Sequence, residues 1–69
     1  MKLYEVSGVI RCGHRTYTIT KAIIADSTEQ VIEMYRQEHP HAKMINPHFE
    51  YEVQESRPRI VFTNYRKHT

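Results

Sequence analysis

The sequence predicts an α+β protein: a small antiparallel sheet with one helix packed on its apolar face, in the order strand, strand, helix, strand, strand (ββαββ). Three observations carry this. Apolar and polar residues alternate over residues 2–11, 16–25 and 48–54, the period-two signature of a half-buried strand. Over residues 28–39 the apolar spacing changes to three and four, as a helix with one buried stripe requires. Gly13, Pro40 and Pro58 punctuate the chain between these blocks.

Tyr4, Val6 and Ile10 share a face of the first strand, with Gly8 between them. Tyr17, Ile19 and Ile23 share a face of the second, which is rich in β-branched residues. Gly13-His14 suits a two-residue type II′ turn, whose first central position needs φ > 0. That turn sets Ile10 opposite Tyr17, Gly8 opposite Ile19, Val6 opposite Lys21 and Tyr4 opposite Ile23. Gly8 then marks either a bulge or a place where something packs close above the sheet.

The helix starts within Asp26-Ser27-Thr28-Glu29-Gln30, where Asp26 with Glu29, or Ser27 with Gln30, forms a capping box. Val31, Ile32, Met34 and Tyr35 make its apolar stripe, and Pro40 ends it. Val31, Ile32 and Tyr35 are expected to pack against Tyr17, Ile19, Ile23, Tyr51 and Val53. Residues 41–47 read as a connector, because Pro47 cannot donate into a central strand. Phe49, Tyr51 and Val53 alternate with Glu50, Glu52 and Gln54 in a third strand. A turn over residues 55–58 leads to a fourth strand over residues 59–65.

The 69 residues make room for a single domain over 1–69, with the last four residues expected to fray. Hydrophobic residues are 39% and charged residues 26%, too apolar a balance for a disordered tail. No apolar run reaches the roughly 18 residues of a membrane span, so no membrane partner is expected. Lys2-Leu3-Tyr4-Glu5 is not a leader pattern. One cysteine, Cys12, excludes an internal disulfide and points to a reducing, cytoplasmic setting.

Catalytic chemistry finds little footing. His39, His41 and His48, or Cys12 with His14, invite a metal reading, but a structural zinc site takes four ligands and usually paired cysteines. No metal and no cofactor are expected. Cys12 and His14 as nucleophile and base lack a third group to orient the imidazole. Glu50 and Glu52 lie on a solvated strand face, where neither is held neutral as a general acid. Two glycines build no phosphate-cradling loop. The chain is expected not to be an enzyme.

The charge distribution is more informative than the net charge of +2. Residues 26–38 carry Asp26, Glu29, Glu33 and Glu38 against Arg36, so Glu29 and Glu33 mark an acidic helix face. Residues 57–68 carry Arg57, Arg59, Arg66, Lys67 and His68 and no acid. Such an asymmetry orients a partner. Within the tail, Arg57, Arg59, Arg66 and Lys67 can neutralise phosphates, and Tyr65 can stack on an unpaired base. The competing account of the same residues is a solubilising end on an edge strand.

Three segments together resemble a known family: Tyr4-Glu5-Val6-Ser7-Gly8, Tyr17 to Ala25, and Glu29-Gln30-Val31-Ile32-Glu33-Met34-Tyr35. They are similar to the opening of the archaeal ribosomal protein LX family, with its aromatic-x-Val-x-Gly strand, Phe-Thr-Lys strand and Glu-rich helix. The resemblance covers residues 4–35, and small phage regulators show a similar strand-strand-helix order. It implies a small sheet with one helix used for docking. The family's basic segment after the helix has no counterpart in residues 36–50, so no functional residue is carried over.

Two functions are expected from these features. The first is a non-catalytic binding module that docks onto a larger protein, of the kind phages and mobile elements use to inhibit or redirect a host machine. An open sheet edge adds self-association as a homodimer. The alternative is an RNA or single-stranded nucleic-acid binding protein of ribosome-associated type, using the basic C-terminal end.

Overall fold

A computed structural model describes residues 1–68. The elements are β1 (Lys2–Cys12), β2 (Arg15–Ala25), α1 (Thr28–Glu38), β3 (Lys43–Glu52) and β4 (Arg59–His68). They form the α+β fold expected, a four-stranded antiparallel sheet in the order β3-β1-β2-β4 with one helix against it. The central hairpin has the register set by its turn: Ile10 faces Tyr17, Gly8 faces Ile19, Val6 faces Lys21 and Tyr4 faces Ile23. Gly13 takes φ +62°, the left-handed value the two-residue loop demands.

Of the two possible helix caps, Ser27 is the one used. Its Oγ accepts from the Gln30 N–H at 3.3 Å, and Gln30 Oε1 accepts from the Asp26 N–H at 2.7 Å. His39 closes the other end, its N–H donating to the Tyr35 carbonyl at 2.9 Å before Pro40. The helix buries Val31 and Tyr35 completely against Tyr4, Val6, Ile19, Ile23 and Ala25. Ile32 is only half-buried.

The end of the Tyr35 ring packs directly against Gly8. A Cβ at Gly8 would stand 2.7 Å from the Tyr35 hydroxyl oxygen and 2.8 Å from its ring, so only glycine admits the ring there. The hydroxyl donates to the Ile19 carbonyl at 2.6 Å, satisfying both buried groups. Burial pushes the phenol pKa up, with the Gly8 backbone pulling weakly the other way.

The edge strands depart most from expectation, and bulges are the reason. β3 begins at Lys43, five residues earlier than expected, and passes through Pro47. It lies at the sheet edge, where a missing N–H costs no ladder bond. Between the pairs Tyr4–Phe49 and Leu3–Tyr51, Glu50 is an extra residue. Cross-strand partners share a face, so the bulge leaves Phe49 on the helix side and turns Tyr51 to the other. Tyr51 is exposed rather than core, while Phe49 meets the Tyr4 ring edge-on at 6.0 Å. Val53 is half-buried and pairs with Met1 instead of joining the core. β4 runs to His68 beside Thr16, so residues 66–68 are strand and not a frayed end. Thr69, the last of the four residues expected to fray, lies outside the described residues.

One mismatch of length shapes everything that follows. An eleven-residue helix rises about 16 Å, whereas an eleven-residue strand extends about 36 Å. The molecule measures 41 × 17 × 15 Å. The helix leaves β2 at Ala25 and reaches Gly8 and Ile19 at Tyr35, so it covers the sheet's helix side only as far as that row.

Gly8→Ala should lower the thermal midpoint by more than a surface substitution, since overpacking costs about 1–3 kcal/mol. In a Tyr35→Leu background the same change should cost much less. Equal costs in both backgrounds, read by circular dichroism melts, would show that Gly8 does not make room for this ring.

Candidate functional site

Past Tyr35 the helix no longer covers its side of the sheet, and Ile10 and Tyr17 there are half-buried against the core cluster. The uncovered rows are Ile10–Tyr17–Lys67 and Cys12–Arg15, next to the partly covered row Gly8–Ile19–Tyr65. A cleft of about 370 Å³ opens there, lined by Ile10, Cys12, Tyr17, Ile19, His39 and Tyr65. Tyr65 is 62% exposed, so its ring is available to a ligand. Lys67 pairs with Tyr17 and Arg15 with Cys12, which puts both cations on the cleft's side of the sheet.

This end of the long axis carries an unbalanced charge. It is built from residues 9–18, 39–45 and 65–68, brought together by the pairings Val9–Lys43 and Thr16–His68. These segments hold Arg11, Arg15, Lys43, Arg66 and Lys67, with His14, His39, His41 and His68. All eight acids lie outside them; Glu38 is the nearest in sequence. Glu52, paired with Lys2, and Glu55 belong to the opposite end. Glu38 is close enough to act on His39, but among the described residues the five permanent cations outnumber the carboxylates at this end, so the net field there is positive.

The C-terminal basic stretch is not one patch. Arg59 and Arg66 are seven residues apart on a strand, about 23 Å. Arg59 sits at the acidic end in a two-pronged ion pair with Glu55, at 3.0 Å and 3.3 Å. The hydrogen bond and charge of Arg59 hold the Glu55 carboxyl below its ordinary pKa. Arg57 is exposed in the bend before β4. Of the five tail candidates, Tyr65, Arg66 and Lys67 reach the basic end, while Arg57 and Arg59 do not. Strand alternation divides those three again. Tyr65 and Lys67 face the cleft, and Arg66 faces away with His68, whose Nε2 is 2.6 Å from Thr18 Oγ1. Glu29 and Glu33 are exposed on the outer helix face, apart from this cleft.

Two buried polar groups lie beside the cleft. Lys21 is 3% exposed on the core face, its Nζ donating to Thr63 Oγ1 at 2.8 Å, and no carboxylate pairs with it among the described residues. Burying an ammonium this way is costly, and its charge is felt by neighbours. His39 is one. Its ring lies 5.4 Å from the Tyr35 ring, and its Nε2 is buried without a partner. Burial first, and Lys21 second, hold its pKa below the usual 6.5, against a smaller pull from Glu38.

The tail candidates omitted Ile10, Tyr17, Arg15 and His39. Two signals in the sequence point to them. Residues 6–25 contain no acid, and a three-turn helix is too short to cover the hairpin whose register the turn sets. Among the described residues, no three His, Cys, Asp or Glu side chains gather as metal ligands would, and no helix is long and apolar enough to cross a membrane.

No family model, no curated protein and no solved structure matches the chain. The resemblance of residues 4–35 to the ribosomal protein LX family therefore stands on the quoted residues alone.

His39 gives the fold a pH dependence of definite sign. Its folded pKa is depressed, so its contribution is intact above pH ~6.5. Below that the unfolded chain takes the proton first, and stability falls with falling pH. Urea denaturation should show a decline between pH 7 and pH 5 that His39→Leu flattens. An equally steep profile in His39→Leu would move the titration to another group.

Proposed function

We propose that the chain is a binding module for RNA or single-stranded nucleic acid, acting through its basic end. One observation carries this reading: a cleft that exposes Tyr65 beside Tyr17 has Lys67 and Arg15 on its own side of the sheet, at an end of the molecule that also carries Arg11, Lys43 and Arg66. Lysine and arginine neutralise backbone phosphates, and a tyrosine ring stacks on any unpaired base. Lys67 and Arg15 flank the tyrosines, as a strand needs if its base is to lie in the cleft and its backbone along the rim. Burial lowers the pKa of the neighbouring His39, so its ring adds no charge of its own to the cleft at neutral pH.

A protein partner, or a second copy of this chain, is the second reading. Phe62 and Val61 are exposed on the open edge β4, and Phe49 and Tyr51 on the open edge β3. An unpaired edge with exposed apolar side chains is a template for strand addition.

Fluorescence anisotropy with a labelled single-stranded RNA separates the two. Binding should weaken with salt at a log–log slope no steeper than about −3.5, from about −0.7 for each of five cations on a single strand. Tyr65→Leu should weaken it roughly 5- to 100-fold, the range of one lost stacking contact. Arg57→Gln should leave it unchanged. No anisotropy change at low salt, or an Arg57→Gln loss as large as that of Lys67→Gln, would overturn the nucleic-acid reading. For the second reading, sedimentation should show association that Phe62→Lys abolishes; a wild-type monomer at high concentration would remove the self-association arm.

A further inference from the structure

The basic end holds a second cleft that the tyrosines do not touch. Its volume is about 450 Å³, and Val9, Arg11, Thr16, His41, Lys43 and Met44 line it. Arg11 and Thr16 are direct partners across the hairpin, and Lys43 is the partner of Val9. Odd-numbered residues of this part of β1 face away from the helix. Val9 and Arg11 therefore line this cleft, while Ile10 and Cys12 line the tyrosine cleft on the reverse side of the sheet.

The lining is rich in donors. Arg11 offers a planar fork of N–H groups and Lys43 an ammonium, neither with any acceptor; Thr16 adds a hydroxyl and His41 a ring N–H. No carboxylate lines the cleft. A guanidinium fork, a point cation and a hydroxyl converging on one space match a phosphate group, which has several strong acceptors and takes two parallel bonds from arginine.

The backbone beside it is strained in the service of no packing. Met44 has φ +56°, the left-handed region that a non-glycine side chain rarely enters. It is also 81% exposed, so no burial offsets the strain. What the strain accomplishes is a bulge: two residues of β3, Met44 and Ile45, stand against Gly8 alone, between the pairs Ser7–Asn46 and Val9–Lys43. The bulge brings Lys43, rather than Met44, opposite Val9. Strained residues of this kind are retained where a site needs the geometry.

We propose that this cleft binds a phosphate group, and that the phosphate is supplied by the backbone of the strand whose base enters the tyrosine cleft. The second half rests on the function proposed above. The two clefts lie on opposite faces of the β1–β2 hairpin, close to its tip. At that tip Gly13 has no side chain, and a Cβ built on it would meet nothing within 4 Å.

Amide chemical shifts titrated with inorganic phosphate, against chloride at equal ionic strength, test the cleft without any nucleic acid. Saturable shifts at Val9, Arg11, Thr16 and Lys43 are expected with phosphate alone. Arg11→Gln should weaken that binding about tenfold, the loss of one charge-assisted bond. Equal shifts with chloride, or titration unchanged in Arg11→Gln, would overturn the phosphate site. For the strand, Arg11→Gln with Lys43→Gln should make the RNA salt slope shallower by about 1.4, whereas Tyr65→Leu should lower affinity and leave the slope alone. An unchanged slope in the double variant would overturn the strand as the source. So would capture of the wild type, but not of the double variant, by phosphoinositide vesicles, which would assign the phosphate to a lipid headgroup. If phosphate titrates and RNA does not bind at all, the nucleic-acid reading fails and the phosphate site stands.

Discussion

A single close contact, the Tyr35 ring against Gly8, sets the arrangement of the whole molecule. The missing side chain lets the helix approach the sheet more closely than any Cβ would allow. The hydroxyl fixes the approach by donating to the Ile19 carbonyl on the neighbouring strand. Because Gly8 and Ile19 are partners, one side chain ties the helix to both strands of the central hairpin. Pro40 ends the helix just beyond this contact, and the row at Tyr35 divides a covered, acidic half of the molecule from a basic half the helix does not reach. The capping of the helix by Ser27 and Gln30 fixes its other end, so neither its start nor its reach is free to drift.

What could be read from the sequence follows the range of the forces involved. The hairpin register was legible to the residue because a two-residue turn at Gly13-His14 and a strict alternation both specify it. The helix was legible because its cap, its stripe and Pro40 are local. The edge strands were not. The bulges at Met44, Glu50 and Val61 depend on how an edge strand curves to follow the twist of the strand inside it, and nothing in the residues around them announces an extra one. Each bulge reverses alternation beyond it, which is why Tyr51 left the core while Phe49 stayed on the helix side.

The same distinction explains the candidate site residues. Proximity in sequence made Arg57, Arg59, Arg66 and Lys67 look like one patch, but a strand spreads consecutive charges along its length and across its two faces. Tyr65 and Lys67 reach the cleft, Arg66 lies behind it, and Arg59 is occupied by Glu55 at the far end. The residues that join them at the cleft come from two other segments, the hairpin around Tyr17 and the stretch after the helix at His39. Only their convergence required the fold. Lys21 belongs to the same lesson: a lysine at an inward position of an alternating strand is readable as buried, yet its partner Thr63 lies forty-two residues away.

The strand order also has a consequence for how the chain matures. β1, β2 and α1 are contiguous, and their contacts close short loops, so this half can form while the rest is still being synthesised. Both outer strands come later in the chain, and the last of them pairs with β2 across 35 to 52 residues. A nascent chain paused after the helix is a two-stranded ribbon with both edges open, and its positive tip still lacks Tyr65, Arg66 and Lys67. The final ten residues of the sheet therefore do two jobs at once: they cover the open edge of β2 and finish the cleft.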